Sequence, residues 1–429
     1  EGEADLYLKR GAIPDPDDAA NVTRRSIRAT GDDGVVLTPS EFVPGQEWYI
    51  LVRCLSARWR LFTGEVFIRD LGTLGFEDAD DNGAFDNGET INPILTSELT
   101  VGAEGSLFFK ALVPDGAAAW ALRVTTGNPY IHVKKSAVPV GNIFERRQRQ
   151  RLLLVPDYLQ ASSAGATYFI RIEGNPGDSY QLDSRLHSFT ELDFHSTHSV
   201  SSTQGGYQTF RYTVPPNQLA WDISITPTEG NPDICLRRDQ IPSEVENHAF
   251  SEANDLATDG ITLSPSAIST QSGLTDGVFF LTVYSDGPYT AALTSGAISV
   301  ETINFTDTKV NPDPEKAGWR YYVIDDIESQ TGLGWELELS DHVENTEIAI
   351  RRNAVPSRWR YRQGGSTGIR RSDGNLDMSS STGVLQNPRH QKDVWYVGVF
   401  QPSEPLGEFV INARPIRSRP VDFHSGITT

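Results

Sequence analysis

The chain reads as all-β, a row of tandem antiparallel β-sandwich modules of jelly-roll type joined by short linkers. Three observations predict it. One phrase recurs four times at domain-sized intervals, alternating apolar segments keep step with each copy, and almost no 3.6-residue periodicity runs between them. Length agrees, since 429 residues at roughly 150 per domain make about three domains. Hydrophobic residues at 38%, with 8 Trp, 14 Tyr and 19 Phe, suffice for ordered cores and exclude a disordered chain.

The phrase stands as Leu6-Tyr-Leu-Lys-Arg-Gly-Ala-Ile-Pro14, Ile131-His-Val-Lys-Lys-Ser-Ala-Val-Pro139, Ile234-Cys-Leu-Arg-Arg-Asp-Gln-Ile-Pro242 and Ile348-Ala-Ile-Arg-Arg-Asn-Ala-Val-Pro356. Its prolines lie 125, 103 and 114 residues apart, so each copy is long enough to hold its own core. Upstream of copies two to four, Trp120-Ala-Leu-Arg-Val124, Trp221-Asp-Ile-Ser-Ile225 and Trp335-Glu-Leu-Glu-Leu339 are apolar at every second residue, as a half-buried strand requires. An earlier strand precedes each, around Phe109 to Val113, Phe210 to Val214 and Tyr321 to Ile324. Downstream, an aromatic doublet opens another strand in Trp48-Tyr-Ile-Leu-Val52, Tyr168-Phe-Ile-Arg-Ile172, Phe279-Phe-Leu-Thr-Val283 and Trp395-Tyr-Val-Gly-Val399. A last strand closes each unit near Leu61 to Ile68, Tyr180 to Leu186, Tyr289 to Leu293 and Glu408 to Asn412. Short strands with turn residues between them are the pattern of sandwiches of about 100 residues.

The register sets the boundaries. Residues 1–70 form a partial first repeat, 101–190, 204–298 and 316–416 form repeats two to four, and 71–100 form a linker. Residues 417–429 open a further linker, because Asp422-Phe-His-Ser425 repeats Asp193-Phe-His-Ser196. Glu1-Gly2 aligns with Glu229-Gly230, so copy one lacks the Trp strand and the strand before it. Its apolar face of Leu6, Leu8, Ile50 and Val52 therefore needs a cover. Two explanations stay open: a chain cut from a longer array, or strands donated by another polypeptide.

Copy one, through Asp5, Tyr7, Lys9, Gly11, Pro14, Leu37, Pro39, Trp48, Tyr49 and Val52, resembles the bacterial pre-peptidase C-terminal domain. Copies two to four depart from that pattern at the glycine and in loop length, and the likeness spans about three quarters of the chain. The resemblance implies small jelly-roll-like sandwiches of secreted peptidases and surface proteins, with structural rather than catalytic motifs.

Charge narrows the partners. Against 37 Lys and Arg stand 57 Asp and Glu, a net of −20, which repels phosphate backbones and anionic headgroups, so neither nucleic acid nor membrane insertion is expected. No apolar run reaches the ~18 residues of a membrane helix. Two cysteines, Cys54 and Cys235, lie a whole module apart and are expected as free thiols. Few cysteines and 7 lysines fit a bacterial chain that is secreted or on the cell surface.

The sharpest local signal runs from Asp78 to Glu89. Set against the twelve-residue calcium loop, oxygen ligands fall at Asp78, Asp80, Asn82, Asp86 and Glu89, Gly83 takes the sharp turn and Ala84 offers its carbonyl. Gly72 and Gly75 before it and Pro93 after it exclude EF-hand helices, so a solitary Ca2+ loop in the linker is expected.

Other constellations are weaker. His195 and His198 have the spacing of a metal pair but no H-E-x-x-H helix, and a polar linker accounts for them. His132 shares a strand column with Tyr7, Cys235 and Ala349, and such variety reads as an outward face. No G-x-S-x-G elbow exists, Gly177-Asp-Ser179 lacks the glycine of a nucleophile turn, and Gly364-Gly-Ser-Thr-Gly368 has no phosphate-binding Lys. Arginines cluster at Arg24-Arg25, Arg146-Arg-Gln-Arg-Gln-Arg151, Arg358-Trp-Arg-Tyr-Arg362 and Arg370-Arg371, always between the phrase's proline and the aromatic doublet. They suit anionic glycans or acidic protein faces, and equally an intramolecular contact with an acidic neighbouring module.

A non-catalytic structural or adhesive array stiffened by calcium follows, facing extracellular matrix, glycan, a protein surface or copies of itself. Two other readings remain: the substrate-holding region of a secreted peptidase or hydrolase, and a filament or surface-layer subunit assembling through open sheet edges.

Overall fold

The computed structural model describes residues 4–416 apart from 28–33, 38–40, 43–44, 55–58, 60, 62, 64, 82–84, 103–104, 115, 141–143, 156–158, 160–165, 254–255, 257, 266–273, 306–307, 311–313, 315–317, 325–333, 345, 357, 364–365, 372–375, 380–383, 388–393 and 402–405, with backbone alone across 358–387. The described segments are strands joined by turns, with one 3-10 turn at Ala19–Asn21 and no membrane-spanning helix. Contacts divide the chain into two units, Glu1–Phe189 and Thr190–Thr429.

In the first unit, the second repeat is a two-sheet sandwich. One sheet orders Arg146–Arg149, Tyr130–Lys135, Ala166–Glu173, Ser106–Val113 and Ile68–Thr73; the other orders Arg151–Leu154, Ala119–Val124, Leu182–His187 and Ile94–Leu95. Alternation explains the core, because Ile131 and Val133 face inward beside Tyr168, Ile170 and Ile172, against Trp120, Leu122 and Val124 of the opposite sheet, all fully buried. At Gln150, with φ +57°, one chain segment leaves the first sheet and enters the second.

The second unit repeats the order twice. Ala249–Ser251, Asp233–Arg238, Gly277–Ser285 and Gly206–Val214 lie side by side in the third repeat, and Leu376–Ser379, Glu347–Arg352, Trp395–Gln401 and Gly318–Ile324 in the fourth. The facing sheets run Asp259–Leu263, Trp221–Glu229, Tyr289–Ala297, Ser196–Ser202 and Val384–Asn387, Gly334–Ser340, Val410–Ile416, Thr308–Val310. Each module centres on a fully buried tryptophan edge-on to the first ring of the aromatic doublet: Trp120 to Tyr168 at 5.5 Å, Trp221 to Phe279 at 5.3 Å and Trp335 to Trp395 at 5.7 Å. Gly230 turns the chain between strands with φ +75°, where a Cβ would lie 2.2 Å from the Pro288 carbonyl oxygen, so only glycine fits.

The structure departs from the expected organisation in three places. Residues 71–100, 191–203 and 299–315, read as polar linkers, carry strands that pair into the following module: Ile94–Leu95 with Leu182–His187, Ser196–Ser202 with Tyr289–Ala297, and Thr308–Val310 with Val410–Ile416. Their polar composition reflects edge positions with one face wet, and single aromatics, Phe85, Phe194 and Phe305, are sunk into the cores. The third and fourth repeats are not separate beads either. The hairpin Arg358–Gln363 and Ser366–Arg371 joins the third repeat's sheet through Phe250 opposite Arg360, and Ala220, Tyr321 and Val355 form a buried cluster spanning both repeats.

The third departure is the His132 column. Tyr7, His132, Cys235 and Ala349 do point away from the sandwich interior, yet all are buried, at 5%, 1%, 0% and 0% exposure. Large side chains roof that outer face, as Phe250, Tyr284 and Tyr207 do over Cys235. Both cysteines are free thiols.

Copy one is a three-stranded sheet, Arg24–Ser26, Ala4–Arg10 and Trp48–Cys54, among the described residues. Leu6 opposes Val52 and Leu8 opposes Ile50, the pairing that Ile131–Ile172 and Val133–Ile170 make in the second repeat. Ile50 stays 38% exposed. Pro39 and the tail 417–429, with its Asp422-Phe-His-Ser425 phrase, lie outside the described residues.

Candidate metal centre

The acidic loop belongs to a hairpin inserted into the second repeat. Strands Gly75–Glu77 and Thr90–Asn92 pair with Phe76 opposite Ile91, directly after Leu74, whose N–H donates to the Leu112 carbonyl. Phe85 anchors the loop, 2% exposed and edge-on to Phe76 at 5.5 Å. Asn87 adds a tether, its Oδ1 accepting from the Phe189 N–H at 2.9 Å. Asp86, between the apolar anchor and the tether, faces water.

Within that loop, carboxylate oxygens of Asp78, Asp80 and Glu89 come within 4.8 Å of one another. Asp80 is exposed and Glu89 half-buried. Both Glu89 oxygens are already oriented, Oε1 accepting from Ala79 N–H and Oε2 from Asp86 N–H, each at 2.8 Å. Asp81 and Gly88 take φ of +59° and +105°, the tight turns that bring the two ends of the loop together. Asp86 meets Glu89 through its backbone; Asn82 and Ala84 lie outside the described residues. Three converging carboxylates with no nitrogen or sulfur donor suit a hard cation rather than zinc or copper.

The remaining candidates do not gather into a centre. His195 and His198 are exposed near the start of Ser196–Ser202, edge-on to Phe194 and Phe210. Ser179 opens the short strand Ser179–Tyr180, next to Asp178, which accepts from the Asn175 N–H and the Tyr180 hydroxyl, contacts that lower the Asp178 pKa. Gly364 is outside the described residues.

The sequence did not reveal a polar cluster on the outer face of the second repeat. His132 Nε2 lies 2.8 Å from a Glu173 carboxylate oxygen, its ring under Phe144 at 5.0 Å, and Arg171 donates to Ser106 Oγ at 2.8 Å. Burial pushes the His132 pKa below its ordinary value, against the opposing pull of Glu173. Alongside, Arg147 and Arg149 stack on Tyr130, their guanidinium carbons 3.6 and 4.3 Å from the ring centroid. A signal was available, since Tyr130, His132, Arg147, Arg149, Arg171 and Glu173 all share one strand parity.

No protein-family model and no curated protein matches the chain. Among solved structures, the pre-peptidase C-terminal domain of a Bacillus anthracis collagenase is similar at 17% identity, covering 25% of this chain and 95% of that one with a TM-score of 0.20. The CUB1-EGF-CUB2 domains of rat MASP-1 match at 9% identity over 52% of this chain and 99% of that one, TM-score 0.14. A chain of the Sulfolobus Turreted Icosahedral Virus structure matches at 10% identity over 71% and 80%, TM-score 0.16.

Proposed function

We propose that this chain is a non-catalytic structural or adhesive array of β-sandwich modules, of secreted or cell-surface type, in which calcium clamps the hairpin 75–92. The observation that carries the reading is the approach of Asp78, Asp80 and Glu89 on a loop held by Phe85. Like charges repel, and in a chain of net charge −20 nothing recovers that cost more directly than a divalent cation between them. Asn82, Asp86 and the Ala84 carbonyl would complete the oxygen shell. The repeated cores support the structural part, because the positions that recur in repeats two to four are spent on packing.

The test is calorimetry of the full chain with calcium, with a chelator, and with Glu89→Ala. Calcium at a hundredfold excess over Kd should stabilise the first unit by about 2.7 kcal/mol, and Glu89→Ala should abolish the shift. Melting curves that are the same in calcium and in chelator would refute the clamp.

A further inference from the structure

The outer strand of the second repeat, Arg146–Arg149, ends its sheet, and no described residue pairs with its far edge. Its inner edge is in register, with Gln148 opposite Ile131 and the Gln150 N–H donating to the Pro129 carbonyl at 2.8 Å. Antiparallel pairing turns alternate residues toward and away from the partner strand, so Arg147 and Arg149 direct their own N–H and C=O groups outward. The same two residues are exposed, and their guanidinium groups rest on Tyr130 without a carboxylate partner among the described residues. Backbone donors, backbone acceptors and two held cations thus lie along one edge.

The chain shows what occupies this position elsewhere. In the third repeat the equivalent strand, Ala249–Ser251, has its far edge covered by Arg358–Gln363, an added antiparallel strand carrying three arginines. That added strand shows the edge at this place in a module accepting another strand. In the second repeat the edge carries Arg147 and Arg149, so the complement is an acidic strand.

We propose that the Arg146–Arg149 edge takes up an extended, acid-rich segment of a partner protein as an added antiparallel strand, with alternate carboxylates paired to Arg147 and Arg149. Strand addition satisfies the outward N–H and C=O groups, and the charge pairs select the partner. A polyuronate chain would answer the charge and leave the backbone groups to water. The proposal goes beyond the array reading and stands whether or not the hairpin binds calcium.

Fluorescence anisotropy of the full chain with a short labelled peptide of alternating Thr and Glu tests it. The peptide should bind, the alternating Thr and Lys peptide should not, and methylating alternate peptide nitrogens, which removes N–H donors and keeps the charge, should abolish binding. Arg147→Gln with Arg149→Gln, folded by circular dichroism, should weaken binding about tenfold. Equal binding of the methylated peptide or of a polyuronate oligomer would reduce the site to a charged surface and overturn the proposal. So would failure of the parent peptide to bind, affinity unchanged in the double variant, or self-association of the protein alone that the double variant relieves, which would assign the edge to a second copy.

Discussion

At the residue scale, the three buried tryptophans share a position but not a hydrogen bond. Trp120 Nε1 donates to Ser184 Oγ at 2.9 Å and Trp221 Nε1 to Ser295 Oγ at 2.8 Å, while the buried Trp335 Nε1 has no acceptor among the described residues. The register gives the reason: Ser184 opposes Leu122 and Ser295 opposes Ile223, and the matching place opposite Leu337 holds Ala413. A buried donor left unpaired costs about 1–3 kcal/mol. Ala413→Ser should therefore stabilise the fourth repeat by about 1 kcal/mol, and Ser184→Ala should destabilise the second by at least as much, both read from urea midpoints. Loss of stability on Ala413→Ser would mean that the site has no room for the hydroxyl.

At the scale of elements, the strand Leu182–His187 sends Leu182, Ser184 and Leu186 into the core and Asp183, Arg185 and His187 to the other face. His187 is buried there, and burial, with the Arg185 charge adding to it, pushes its pKa down to about 4. In the unfolded chain the ring titrates near 6.5, so between these values the unfolded state binds the extra proton. Its contribution to stability is complete above pH 6.5 and is lost as the pH falls toward 4, about 3 kcal/mol in all. Urea unfolding of the first unit measured between pH 7 and 4 should show this slope, and His187→Asn should flatten it. An unchanged slope in the variant would place the acid sensitivity on the carboxylates instead. The acidic hairpin belongs to this scale too: its oxygen-bearing residues were legible as a motif, but the anchor Phe85 was not, because one apolar residue inside an acidic turn carries no periodicity.

At the scale of the whole molecule, the second unit is a pair of sandwiches that share a sheet and a cluster. Independent beads would lose one module per core substitution. Instead, Val355 packs with Ala220 and Tyr321, and Arg351 donates to the Pro265 carbonyl, so the third and fourth repeats protect one another. Val355→Asp should raise amide hydrogen exchange in Asp233–Arg238 of the third repeat as well as in Glu347–Arg352 of the fourth, since a buried unpaired charge costs several kcal/mol. Exchange raised in the fourth repeat alone would return the modules to independence.

The sequence by itself determined the strands that recur in repeats two to four and the central tryptophans, because period-two alternation and the recurring phrase are local properties written in consecutive residues. Only the tertiary structure decided what covers each sheet. Whether Ser196–Ser202 is a linker or an edge strand, whether His132 faces water or Phe144, and whether the arginine loop of one repeat docks on the repeat before it are all settled by residues distant in the chain. A strand's alternation states that it has two faces; burial of the outer one depends on the neighbour that arrives, and no consecutive stretch of residues encodes that neighbour.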